Sequence, residues 1–235
     1  RSTLFPYTTL FRSQPLAFLM LKVCLTCLFL FIVAGLPLAL WGARSRSLAS
    51  RSVSFLVTLP LVFPPIAMGF ILLLLLGRNG PIGRPLEGLF GVRIVFSTAG
   101  VILASFIAGL PLVVRPLQAA MERTEVIRLE EAARTMGAGP LRTFLLVTIP
   151  QVGSSLVSGL LLGVARTSGE VGITMMLGGN IAGRTNTLSL EIYNSVSRGD
   201  FDVAMKLCFI LAVMGFLLYI LLEVEIGRAS YRERV

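Results

Sequence analysis

The chain is 235 residues long, 55% hydrophobic and only 14% charged, whereas soluble domains carry about a quarter charged residues, so it reads as a membrane protein. A formal charge of +9 would suggest nucleic acid in a soluble chain, but these arginines punctuate apolar runs instead of clustering with stacking aromatics, which argues against that partner. With no histidine, and with Cys24, Cys27 and Cys208 in or beside apolar runs, there is no case for a Cys/His metal site, a disulfide framework or a histidine-dependent triad.

Both ends look foreign. Residues 1–13, RSTLFPYTTLFRS, and 225–235, EIGRASYRERV, resemble translated sequencing-adapter read-through and are set aside from the fold as artefacts. The chain does not open on methionine, so its natural start is left open. Residues 14–224 are expected to form one transmembrane unit. A spanning helix needs about 20 apolar residues at about 1.5 Å each, and five stretches meet that requirement: 23–43, 53–77, 94–114, 143–165 and 203–222. The last does so only with Lys206 near its entry, snorkelling to the headgroups, because a lysine at mid-bilayer costs on the order of 3 kcal/mol. The expected fold class is therefore all-α integral membrane, with about five spans and a polar loop at 115–142.

In the first span, Cys24 and Cys27 lie one helical turn apart and read as small hydrophobes. Pro37 and, in the third span, Pro111 mark further bends. The second span holds Leu59-Pro60-Leu61-Val62-Phe63-Pro64-Pro65. Prolines remove backbone donors and kink or break a helix, and in lipid the freed carbonyls need partners from neighbouring helices or water. Pro64 and Pro65 are thus pathway candidates, with a kink that only improves packing as the equal alternative.

The loop at 115–142 opens at Thr124 with a cap-type hydroxyl and acids, and places apolar Val126, Leu129, Ala133 and Met136 at three- and four-residue steps. Gly137 supplies a stop, and Pro140 can open a second helix as its first residue. Small residues recur at Ser155, Gly159 and Gly163 in the fourth span, for close packing within the protomer or for lining a pore or dimer seam. Next comes Arg166-Thr167-Ser168-Gly169-Glu170-Val171-Gly172, where Arg166 and Glu170 are spaced to pair on one helix face. Beyond the turn at Gly178-Gly179-Asn180, Leu188, Leu190 and Ile192 alternate with Ser189, Glu191 and Tyr193, which predicts extended or interfacial structure on the outer face.

Orientation follows from arginine placement. Arg44, Arg46, Arg51, Arg115, Arg123, Arg128, Arg134 and Arg142 outnumber Arg78, Arg84, Arg93, Arg166, Arg184 and Arg198 on the alternate side. That bias puts the central loop in the cytoplasm, the N-terminus outside and the C-terminus inside.

Glu131-Ala132-Ala133, then Gly137, then Val147-Thr148-Ile149-Pro150 resembles the cytoplasmic loop of binding-protein-dependent ABC importer permeases: Glu-Ala-Ala, three residues, Gly, nine residues, Ile-x-Leu-Pro. Val147 and Ile149 replace the usual Ile and Leu. The 59–65 stretch resembles the Leu-Pro-Leu-Val-x-Pro-Pro of molybdate-type permeases. The run from Ala165 is similar to the Ala-Arg-x-x-Gly-Glu-x-Gly of molybdate and sulfate permeases, where a helix gives way to the outer gate region. The likeness covers roughly residues 20–222.

This resemblance implies a MetI-like ABC importer fold in the bacterial inner membrane. It implies a homodimer that moves molybdate with a cytosolic ABC ATPase dimer and a periplasmic molybdate-binding protein, sulfate/thiosulfate or tungstate being the alternative cargo. It casts Glu131, Ala132, Ala133, Arg134, Gly137 and Pro150 as ATPase-coupling residues. Pro64, Pro65, Arg166, Ser168, Gly169, Glu170 and Gly172 become gate or pathway candidates. The chain carries no phosphate-cradle motif, since the Gly-rich 77–83 stretch lacks the lysine and the strand-helix context. No catalytic residue, cofactor or metal is expected in it, and ATP and Mg belong to the partner ATPase. The loop helix is expected to dock its apolar stripe in an ATPase groove, with Glu131 and Arg134 at the rim. A non-transport scaffold using the same loop is a rival from a different class. An ion-coupled carrier is disfavoured, because the five spans hold no Asp or Glu.

Overall fold

The computed structural model describes residues 6–45 and 47–232. Arg46, residues 1–5 and residues 233–235 lie outside the described residues, and with them one arginine of the orientation argument and parts of both adapter-like ends. Every regular element among the described residues is helical. Among the described residues, three stretches are long and apolar enough to cross a membrane: Leu16–Arg44, Thr98–Met121 and Pro140–Ser168.

The first is built from α1 (Pro6–Leu30), a π turn at Phe31–Gly35 and α2 (Leu36–Arg44). Pro37 has no N–H for the helical ladder, and the wide turn just before it absorbs the mismatch. The predicted second span is two helices: α3 (Leu48–Val62), capped by the Ser47 hydroxyl, which accepts from the Ser50 amide, and α4 (Pro65–Leu76). Pro60 is carried inside α3, but a residue preceding proline is driven out of the helical region, so Phe63 (ψ 142°) and Pro64 (ψ 134°) are extended and separate the pair. At about 1.5 Å per residue, neither helix alone crosses a hydrocarbon core of about 30 Å.

A short α5 (Gly83–Phe90) leads to α6 (Thr98–Met121), whose start is capped by Ser97. This helix starts later than residue 94 and runs past residue 114 into the predicted loop, so Arg115 is helical. It is the axis of the bundle: Val101, Ala104, Val113, Leu117 and Met121 are buried, and Phe31 stacks on Phe106 with ring centroids 5.4 Å apart.

After α7 (Thr124–Thr135), α8 (Pro140–Thr143) passes through a second π turn, Phe144–Thr148, into α9 (Ile149–Ser168). Again a proline, Pro150, follows the π turn. The α6 and α9 helices form the most extensive pair. A Cβ added at Gly163 would lie 2.6 Å from Val113 Cγ2, and one at Gly109 2.7 Å from the Gly163 carbonyl oxygen. Of the two readings of the small-residue stripe, Gly159 and Gly163 therefore take close packing within the protomer.

The chain ends with α10 (Gly172–Gly178), α11 (Leu188–Ser197) and α12 (Phe201–Arg232). The extended structure expected around Leu188, Leu190 and Ile192 is instead the α11 helix. Thr187 caps it by accepting from the Leu190 amide, and Leu188, Ser189 and Leu190 are all buried, a consecutive run that one strand face cannot bury. The predicted fifth span lies within α12, with Lys206 in its second turn.

Candidate functional site

The sequence-named residues gather at the two ends of α9, about 30 Å apart along a 20-residue helix. At one end is the elbow between α7 and α8. The Ala138 amide donates to Ala133 O at 3.0 Å and the Gly137 amide to Arg134 O at 2.9 Å, the Schellman pattern that closes a helix through a left-handed residue. Gly137 supplies that residue at φ +85°. Pro140 opens the next helix, as expected. The start differs from expectation: Thr124 is the first helical residue, Arg123 occupies the cap position, and no side chain caps that end.

The α7 faces are also apportioned differently. Val126, Glu130 and Ala133 turn inward and are buried, whereas Leu129 and Met136, drawn above as part of one stripe, are exposed, Met136 by 82%. Glu131, Ala132 and Arg134 point outward with them. The outer face thus combines charge with the apolar Leu129, Met136 and, across the elbow, Leu141. Pro150 is exposed just inside α9.

Sequence reasoning missed Glu130. Its Oε1 accepts from Arg44 Nη2 at 2.5 Å and from Thr148 Oγ1 at 2.6 Å, while Arg44 Nη1 donates to Met121 O at 2.8 Å. The Arg44–Glu130 pair thus joins the end of α2, the end of α6, the middle of α7 and the π turn before α9. A buried charge persists only when paired and hydrogen-bonded, and Glu130 is both. The available signal was spacing: Val126, Glu130 and Ala133 sit at i, i+4 and i+7, which puts a carboxylate on the inner stripe.

At the far end of α9, Arg166 Nη1 and Glu170 Oε2 pair at 2.6 Å as the spacing predicted, and Glu170 is buried. Its Oε1 also accepts from the Ile173 amide at 2.7 Å, covering an otherwise unpaired N–H at the start of α10. Gly172 lies against the α3–α4 break: an added Cβ would stand 2.7 Å from Pro65 Cβ and 3.0 Å from the Ile66 backbone nitrogen. Pro65, Arg166, Glu170 and Gly172 are therefore assembled in one place, with the exposed Pro64 beside them in the break. Ser168 belongs elsewhere: its hydroxyl donates to Ala165 O, and its carbonyl accepts from Ser189 Oγ on α11. Gly169 is exposed at the end of α9 and packs tightly on nothing.

Outside both clusters, Glu191 on α11 accepts from Asn186, Arg198 and Asn194. Burial pushes its carboxyl upward, but those hydrogen bonds and the Arg198 charge outweigh it and hold Glu191 below its ordinary value. A groove of about 1350 Å³ between α1, α11 and α12 holds Lys22, Glu191, Arg198 and Lys206 and none of the residues named from sequence as coupling or gate candidates. Among the described residues, no group of His, Cys, Asp and Glu could hold a metal ion.

The profile of the family described as "Binding-protein-dependent transport system inner membrane component" matches residues 31–224. The chain is 38% identical over 188 residues to the molybdenum transport system permease protein ModB of Azotobacter vinelandii, covering 80% of this chain and 83% of that one. It is 41% identical over 199 residues to its namesake in Mycobacterium tuberculosis, covering 84% and 75%. Among solved structures, a bacterial ABC transporter involved in import of the acidic polysaccharide alginate superimposes with a TM-score of 0.63 at 19% identity, over 94% of this chain and 82% of the other. That likeness speaks to the fold.

Proposed function

Because this chain belongs to the family of binding-protein-dependent transport system inner membrane components, we propose that it is the membrane-spanning subunit through which molybdate enters the cell. It works as a homodimer with a cytosolic ABC ATPase dimer and a periplasmic molybdate-binding protein. The α7–α8 elbow faces the cytoplasm, which puts the N-terminus outside and the C-terminus inside. ATP and Mg sit on the ATPase.

The observation that carries this reading is the division of α7. Its outer face offers Glu131, Ala132, Arg134 and exposed Leu129 and Met136, the mix of apolar anchor and charged rim that a helix needs to lie in a groove. Its inner face is fastened to the bundle through Glu130. A push on the outer face is therefore delivered to α2, α6 and the foot of α9 together, because packed elements move as rigid bodies and do not deform continuously. At its far end α9 carries Arg166, which pairs with Glu170 in the link to α10, so the same motion reaches α10 where Gly172 rests on the Pro65 break. ATPase closure drives the elbows of the two protomers together and switches access to the pathway.

The test is uptake of labelled molybdate into proteoliposomes carrying the permease and its ATPase, with loaded binding protein outside and ATP within. ATP-dependent accumulation, competed by tungstate more strongly than by sulfate, supports the reading. Intact complexes that hydrolyse ATP without accumulating any oxyanion overturn it.

A further inference from the structure

Arg115 differs from the arginines at the bundle ends. It lies within α6, with its side chain exposed on a face turned from the core. Helical side chains lean toward the helix N-terminus, and this one follows that rule: Nε and Nη2 donate to Thr58 Oγ1 at 2.8 and 2.6 Å. Nη2 also donates to Ser54 O at 3.3 Å, and Nη1 to Gln118 Oε1 at 3.4 Å. Gln118 in turn donates to Ser54 Oγ, so α3 and α6 run antiparallel with Arg115 matched to Thr58 and Gln118 to Ser54. Arg51 is the last charge on α3, and Thr58 lies about 10 Å further along that helix. The guanidinium therefore reaches into the membrane instead of snorkelling toward the near surface.

In lipid that position costs on the order of 3 kcal/mol. No carboxylate among the described residues pairs with Arg115, and of its five N–H groups one on Nη1 has no acceptor among them. The charge is oriented yet uncompensated, a poor design for a lipid face and a good one for an anion's route. We propose that Arg115, held by Thr58, is an oxyanion contact on the wall of the translocation pathway, where a tetrahedral dianion accepts from Nη1 on its way to the cytoplasm. A single fixed cation attracts the dianion without caging it, and transport requires binding weak enough to release. This rests on the permease reading above.

The experiment uses the full complex of permease, ATPase and binding protein in proteoliposomes, with molybdate as the probe. Losing one charge-assisted hydrogen bond should cut molybdate moved per ATP hydrolysed by at least about tenfold in Arg115→Gln. Arg115→Lys keeps the charge but not the fork and should stay within about threefold of the unsubstituted protein. Equal losses in Gln and Lys would make Arg115 a brace between α3 and α6, and a normal ratio in Gln would give it no part in transport; either overturns the proposal. An unsubstituted complex that moves no oxyanion brings down the permease reading itself. A second measurement is independent of uptake. In a chain with Cys24, Cys27 and Cys208 replaced by alanine, Arg115→Cys in the intact complex should react with a negatively charged, membrane-impermeant thiol reagent. Reaction only with a lipid-soluble reagent, or with neither, overturns the pathway placement.

Discussion

Arg44, at the last turn of α2, and Glu130, in the middle of α7, are 86 positions apart in the chain and 2.5 Å apart in the fold. The carboxylate is the more enclosed partner, its side chain 7% exposed against 27% for Arg44. That asymmetry ranks the damage done from either side.

Removing one partner of a fully buried pair costs about 3–5 kcal/mol. In Glu130→Gln the amide can still accept from Thr148, and the partly exposed Arg44 can take up water, so about 2 kcal/mol is expected. Arg44→Gln strands the buried carboxylate and should cost more. Thermal melts of the two variants in detergent check the order. ATP hydrolysed per molybdate transported should rise in both, since the bolt between α7 and the bundle is loosened.

Gly137 predicts a different phenotype. Its φ of +85° lies where a Cβ costs about 1–2 kcal/mol, and the open space around it removes any packing objection. Gly137→Asp should insert normally but lose uptake and most ATPase co-purification, because it reshapes the elbow that presents Glu131 and Arg134. Gly137→Asn, better tolerated in the left-handed region, should retain more of both. Equal behaviour of Asp and Asn in co-purification would point away from backbone geometry as the cause.

The elbow was readable in sequence because its devices are local: a left-handed glycine, a helix-opening proline and a spacing over twenty residues. What surrounds it was not. Glu130 finds Arg44 and Thr148 only through tertiary packing, and the apolar residues drawn as one stripe divide, Val126 and Ala133 turning inward with Glu130 while Leu129 and Met136 stay on the outer face. The division of the second span into α3 and α4 was half legible, since three prolines announced a kink but not that Phe63 and Pro64 would both become extended. In α11 an alternating pattern was overruled by a Thr187 cap and three consecutive buried residues, where helix and strand periodicities are hard to tell apart over so short a run.

The contact between Gly172 and Pro65 allows the proposed gate to be tested apart from the proposed coupling elbow. In Gly172→Ala the new methyl would meet Pro65 Cβ at 2.7 Å and the Ile66 backbone at 3.0 Å, neither of which can rotate away. An overpacked site costs about 1–3 kcal/mol. Uptake should fall while ATPase co-purification is unchanged, because the proposed docking face lies at the other end of α9. Gly169→Ala is the control: its φ is −93° and a Cβ there would approach only Ala165 O, at 3.9 Å, so near-normal uptake is expected.

Glu191 gives a prediction in pH. Its carboxyl is held below the ordinary value of 4.5, burial being outweighed by Asn186, Arg198 and Asn194. Arg198 and Asp200 are the charged groups around it, and Arg198 stays protonated throughout this range. A group with a depressed folded-state pKa binds its proton more readily when unfolded. Its stabilisation is therefore present above 4.5 and drains away as pH falls through the folded-state value. Glu191→Gln removes the titrating group and the charge on Arg198's partner. The melting temperature of the unsubstituted chain should accordingly exceed that of the variant at pH 7, and the gap should close as pH drops below 4.5. A gap that is constant across that range would mean that the Asn186 and Asn194 hydrogen bonds alone hold α11, with no contribution from the charge.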